Sequence, residues 1–174
     1  KQPTADNRIS HLVTSTGITC HPNTVMDYVE YMRNACMLFS LNNYASKFAE
    51  RETVKKHYFS DNGLLNIFLT DDETSLLENL CAIHLHQIYA DDQLFYYAKN
   101  IEVDFFIPDE QTAIQACYSI NNPLTAERET EALLKLHKYV PLKRAVIITY
   151  NQQTTIQRED LTIEVLPIWK WLLE

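Results

Sequence analysis

Glycine is nearly absent, with only Gly17 and Gly63 in 174 residues. That excludes both the G-x-x-x-x-G-K-[ST] phosphate loop and the G-x-G-x-x-G dinucleotide loop, which need glycines so that phosphate oxygens can approach backbone N–H groups. No nucleotide is expected to bind here by either device, and no cofactor is expected in this stretch of chain apart from Mg²⁺ if the acidic site described below is active. The four cysteines, Cys20, Cys36, Cys81 and Cys117, form no C-x-x-C pair. Scattered thiols make a poor zinc site and read as free thiols in a reducing compartment. No apolar run reaches the ~20 residues needed to cross a bilayer. Lys1 to Ser10 holds no apolar h-region, so a cytoplasmic protein without a signal peptide or membrane contact is expected.

Positive charge is also in short supply, and unevenly so. Residues 1–60 carry seven Lys+Arg against five Asp+Glu, while residues 61–174 carry eight against eighteen, giving +2 and −10 for the stated total of −8. An acidic surface repels nucleic-acid phosphates at long range, so any DNA contact is expected in the first third. What is present suits a globular chain: 46% hydrophobic and 22% charged residues, long enough for one compact domain or two small ones.

The opening reads as a helix carrying Ile9, Leu12 and Val13, then a second starting at His21-Pro22 with an apolar stripe of Val25, Tyr28, Val29 and Met32. Strands follow at Cys36–Leu41 and His57–Phe59. Helix, turn, helix and two strands is a winged-helix order, so residues 1–60 are expected to form a small winged-helix-like segment. Its second helix sets Asp27 and Glu30 against Arg33 alone, a poor groove reader. Lys47, Arg51, Lys55 and Lys56 form a basic strip that could hold a phosphate backbone, or could be a solvated face.

Gly63 is expected to take a positive φ in a turn. From residue 75 the pattern reads helix, three strands in an antiparallel meander, helix, strand, over a second domain at residues 61–174. Along Glu102–Ile107, simple alternation puts Val103, Phe105 and Ile107 on one face and Glu102, Asp104 and Phe106 on the other. Asn122-Pro123 begins a helix with Glu127 and Glu131 placed toward Lys135. Arg144–Tyr150 reads as a buried central strand with a parallel neighbour.

That order resembles the mixed-sheet α/β core of the restriction-endonuclease-like, or PD-(D/E)XK, superfamily. The resemblance implies an acid on the second strand, an acid-x-lysine on the third and a glutamate from the first helix, which hold Mg²⁺ while the lysine serves the attacking water. Glu78 and Asp104 match the helix and strand acids and would be the metal ligands. Gln115 stands where the second acid should be and Cys117 where the lysine should be. Without an ammonium the site is expected to be degenerate and silent, since losing one charge-stabilising donor costs roughly 10²–10³ in rate. His84 and His86 fall on different helix faces, and Trp169 and Trp171 are expected to pack rather than to cage a ligand.

Taken in order, Asn23 to Tyr31, Tyr58-Phe59-Ser60-Asp61-Asn62-Gly63-Leu64, Leu77-Glu78-Asn79-Leu80, Glu102-Val103-Asp104-Phe105, Ile114-Gln115-Ala116-Cys117-Tyr118, Ile147–Tyr150 and Pro167-Ile168-Trp169 resemble the C-terminal portion of a bacterial and archaeal AAA+-type predicted ATPase family. This resemblance implies that an N-terminal ATPase module precedes residue 1 and binds ATP. Beside such a module the chain reads as a non-catalytic accessory part of an ATP-driven switch that binds an unidentified partner protein or a nucleic acid. Two alternatives stand beside it: a Mg²⁺-dependent nuclease with a degenerate site, and a DNA-binding regulator acting through the winged helix.

Overall fold

The computed structural model describes residues 4–5, 10–11, 13–46, 54–68 and 73–174. Its elements are β1 (Thr4–Ala5), α1 (Pro22–Asn34), β2 (Leu38–Asn43), β3 (Val54–Phe59), α2 (Asn62–Phe68), α3 (Glu73–Ile88), β4 (Phe95–Ala98), β5 (Glu102–Ile107), β6 (Thr112–Ala116), α4 (Pro123–Tyr139), β7 (Arg144–Thr149), β8 (Thr154–Arg158), β9 (Leu161–Pro167) and α5 (Ile168–Trp171). The protein is mixed α/β. Among the described residues, nine strands form one mixed sheet in the order β1-β3-β2-β4-β5-β6-β7-β9-β8. The meander β4-β5-β6 is antiparallel, and β6, β7 and β9 run parallel.

Local chemistry accounts for several elements. Asn122 accepts a hydrogen bond from Leu124 N and Pro123 sits in the first turn, which together start α4. Strand β7 is apolar on both faces because helices cover both sides of it. The edge strand β8 is Thr-Thr-Ile-Gln-Arg, mostly exposed, a composition that discourages pairing with another chain. Gly63 lies within α2 without a positive φ; among the described residues the positive-φ glycine is Gly17. An Asp61 carboxylate oxygen receives the Gly63 N–H, so the turn expected there is a helix start.

Two cores flank the sheet. Leu77, Cys81 and Leu85 of α3 pack with Tyr58, Phe105, Val146 and Trp171 on one side. Leu133 and Leu136 of α4 pack with Val103, Phe106, Ile147 and Val165 on the other. Val103 and Phe106 thus share one core while Phe105 lies in the opposite one, against simple alternation. The register explains this. Tyr97 opposes Val103 and Phe95 opposes Phe106, so two steps on β4 meet three on β5. The extra residue is a bulge at Asp104-Phe105, a device that re-aims side chains.

The boundary expected at residue 60 does not divide the sheet. Strand β2 pairs in parallel with β4 through Asn42↔Phe95 and Asn43↔Tyr96. The Asn43 side chain extends that join, donating to Ala98 O at 2.7 Å and accepting from Ala98 N at 2.9 Å. Phe39, Leu41 and Tyr58 belong to the same core as α3. Of the apolar stripe expected on α1, only Val25 is buried, and Tyr28 faces solvent. Of the first expected helix, Ile9 and Leu12 lie outside the described residues.

Candidate functional site

Strands β5 and β6 pair regularly through Phe105↔Ile114, and then the polar side chains take over. Asp104 N donates to the Gln115 amide oxygen at 2.8 Å, and Ala116 N donates to an Asp104 carboxylate oxygen at 3.0 Å. These bonds continue the join beyond the last β5–β6 pair, where the backbone ladder ends. The other Asp104 oxygen accepts from Lys56 Nζ at 2.7 Å. Lys56 is 3% exposed and also contacts Glu78 at 2.9 Å and Glu102 at 3.1 Å. Tyr58 donates its hydroxyl proton to Glu78 at 2.8 Å. Strand β3 positions both Lys56 and Tyr58, two residues apart on its inward face, while α3 supplies Glu78. On the other side, the Gln115 amide nitrogen donates to Glu102 O and to Glu129 of α4. A cavity of about 480 Å³ opens here, lined by Thr74, Glu78, Glu102, Asp104, Ala116 and Glu129, with Arg128 and Lys135 among its other walls.

One ammonium shared among three carboxylates sets the electrostatics. Burial alone pulls the Lys56 pKa down, but Asp104, Tyr58, Glu78 and Glu102 outweigh it and hold the ammonium above its ordinary range. Burial pushes Glu78 up, as does Asp104, and Lys56 offsets only part of that. The partners respond differently because Lys56 is stabilised by every acid around it, whereas Glu78 faces Asp104 as well as the lysine. Burial also raises Tyr58, with Glu78 adding to it, so the phenol stays a donor. Burial raises Glu129, which Arg128 partly relieves.

The structure corrects the expected missing lysine. Glu78 and Asp104 come together as the sequence implied, and the cation between them is Lys56. Period-two alternation could have found it: Lys56 shares a face with the buried Tyr58, and Lys55 with His57. Lys56 is therefore not part of a solvated basic face or an exposed nucleic-acid contact. Lys55 lines a different cavity, beside Arg33 and His57. Lys47 and Arg51 lie outside the described residues. Cys117 does not stand in for the lysine. It belongs to the core under α4, its thiol donates to Ser119 O, and burial raises its pKa. Gln115 reaches Asp104, but its oxygen is already bonded to Asp104 N, so it braces the strands rather than offering a ligand. His84 packs edge-on against Trp171, and His86 stacks on Phe39. Trp171 is buried, as expected, and Trp169 is 60% exposed.

Carboxylate oxygens are the kind of donor that a hard divalent cation takes. Four carboxylates (Glu78, Glu102, Asp104, Glu129) meet two cations (Lys56, Arg128), a formal excess of two negative charges when all are ionised. Glu102 Oε1 lies near Lys56 but off hydrogen-bonding geometry, and it is buried with no hydrogen-bond partner. Among the described residues no three His, Cys, Asp or Glu side chains already converge on one metal point. Magnesium commonly uses one or two carboxylates and completes its shell with water and phosphate oxygens.

No family model and no solved structure matches the chain. It is similar to an uncharacterized protein of Methanocaldococcus jannaschii, 33% identical over 178 aligned positions that cover 95% of this chain and 40% of the relative. The chain thus spans well under half the length of the curated relative it matches. No helix among the described residues is long and apolar enough to cross a membrane.

Proposed function

We propose that this chain carries a divalent-metal-dependent phosphodiesterase centre of the restriction-endonuclease-like type, with its lysine supplied from β3 rather than β6. The observation that carries this reading is the buried Lys56 ammonium held between Asp104 and Glu78, two acids that line a cavity. The order α3, β4-β5-β6, α4, β7 and the opening between β5 and β6 support it. Glu78, Asp104 and Glu102 would hold the cation, which when bound polarises a phosphoryl oxygen and acidifies a water. Lys56, held among the three acids, would offset negative charge building at the site, where burial makes its field felt. Tyr58 keeps the Glu78 carboxylate pointed inward. A reducing, cytoplasmic setting goes with this reading, supported by the four free thiols.

The test is nicking of supercoiled plasmid with Mg²⁺ or Mn²⁺. Wild-type protein nicks it, and Asp104→Ala and Lys56→Ala each lower the rate by at least ~10². Absence of nicking, or equal nicking in both variants, sinks the proposal.

A second reading is the non-catalytic accessory module of an AAA+-type ATP-binding protein. It is favoured by the self-satisfied state of Asp104, both of whose oxygens are already bonded, and by the 40% coverage of the longer relative. It predicts no nicking, with ATP hydrolysis by the longer protein lost when residues 1–174 are removed. On either reading, DNA binding through the first segment requires tight association at ~50 mM salt.

A further inference from the structure

Strands β6, β7 and β9 are parallel neighbours, so their C-terminal ends share one edge of the sheet. The ladder runs on past β6: Cys117 N donates to Ile148 O at 2.9 Å and Tyr150 N to Tyr118 O at 3.1 Å. This brings Tyr118 and Tyr150 abreast, their rings stacked with centroids 5.0 Å apart and planes 14° from parallel. Thr149 is in register with Pro167, which sets Trp169 at the same edge, at the start of α5. Tyr150 is 52% exposed and Trp169 60%. The row adjoins the cavity. Tyr118 follows the cavity-lining Ala116 by two residues, a step of roughly 7 Å along extended chain. Glu73, beside the Tyr118 hydroxyl, precedes the cavity-lining Thr74.

We propose that Tyr118, Tyr150 and Trp169 form a stacking platform for unpaired bases of a single-stranded nucleic acid whose backbone enters the Asp104 cavity. This names the substrate class of the phosphodiesterase centre and rests on that reading. The stacked rings, not charge, argue for this occupant. Residues 61–174 carry a net −10, which opposes any polyanion at long range, so the affinity has to come from stacking. Stacking needs no cation, and every base has a π face to offer. Bases in a duplex are already stacked and cannot lie on the rings. Pairing to their strand partners fixes the rings, so little ordering is needed on binding. Arg128 and Lys135 are the cations of the cavity wall, each paired with a neighbouring glutamate, Glu129 and Glu131.

The experiment is fluorescence anisotropy of the intact protein with a short labelled single strand and with its duplex, in Ca²⁺ to hold off cleavage. The single strand binds more tightly than the duplex. Tyr150→Ala and Trp169→Ala each weaken single-strand binding by about 5- to 150-fold, the range for loss of one stacked base. Tyr150→Phe, which keeps the ring, stays within about twofold of wild type and controls for folding. Affinity falls less than about tenfold between 50 and 200 mM salt, against the 10³–10⁵ seen when six to ten phosphates are neutralised. Equal binding of duplex, or unchanged binding in both alanine variants, overturns the proposal and leaves the face to a protein partner. Plasmid nicking by wild type alongside unchanged Tyr150→Ala binding would refute the platform alone. Ring-dependent binding without nicking would refute the phosphodiesterase reading alone.

Discussion

Replacing Lys56 with methionine keeps most of the side-chain volume and removes one buried positive charge. Three carboxylates at 2.7, 2.9 and 3.1 Å then lose their common partner. Each contact is worth about 5–6 kcal/mol of gross attraction at an effective dielectric near 20, and desolvation of the ions costs several kcal/mol apiece. Removing one member of a buried pair typically leaves a net deficit of about 3–5 kcal/mol. That is a large share of a total stability of about 5–15 kcal/mol. With a urea m-value near ~2 kcal/mol/M, the unfolding midpoint falls by about 1.5–2.5 M at pH 8. The deficit depends on pH in a definite direction. Glu78 has a folded pKa raised above its unfolded value, so its protonation favours the fold fully below the unfolded pKa and that benefit is lost as pH rises through the folded one. Loss of Lys56 moves that folded value higher still. Wild type gains from the same protonation, and the variant gains at least about 1 kcal/mol more than wild type between pH 8 and pH 5. Urea denaturation of both proteins at the two pH values measures this. A deficit under about 1 kcal/mol at pH 8, or one that is the same at pH 5, would refute the account of Lys56 as the neutralising centre.

Gln115→Leu strands Asp104 N, Glu102 O and one Glu129 oxygen at once, and at about 1–3 kcal/mol for each unsatisfied buried group it should lower the thermal midpoint by ten degrees or roughly more. His57 is held down to about 4 by burial and by Arg33 and Lys55. Its contribution to stability is present in full above about 6.5 and is lost as pH falls toward 4, about 3 kcal/mol in all. An NMR titration of the His57 ring gives the midpoint directly, and a value near 6.5 would contradict the buried placement beside two cations.

Local rules carried much of this fold. The Asn122-Pro123 start of α4, the doubly buried β7 and the β4-β5-β6 meander were readable because each is set by residues within a few positions of one another. The bulge was not. Glu102–Ile107 reads as regular alternation, and the extra residue becomes visible only against Tyr97 and Phe95 on the facing strand. Of the site, Glu78 and Asp104 were legible as acids at the right places. Lys56 was not, because Lys55-Lys56 beside His57 reads as a solvated strip until the burial of Tyr58 fixes which face points inward. Gln115 was read as a poor ligand, whereas three hydrogen-bond partners make it a brace.

The two-pair seam between β2 and β4 bears on how the polypeptide must be handled and made. A chain begun at residue 61 would lack Lys56 and Tyr58 and leave the flank of β4 without its neighbour, an invitation to edge-to-edge aggregation. In the order of synthesis, the hairpin that brings the ammonium is finished before any of its acid partners exist. The charged cluster can close only when a segment nearly fifty residues downstream arrives, which makes this seam a late and slow step of folding.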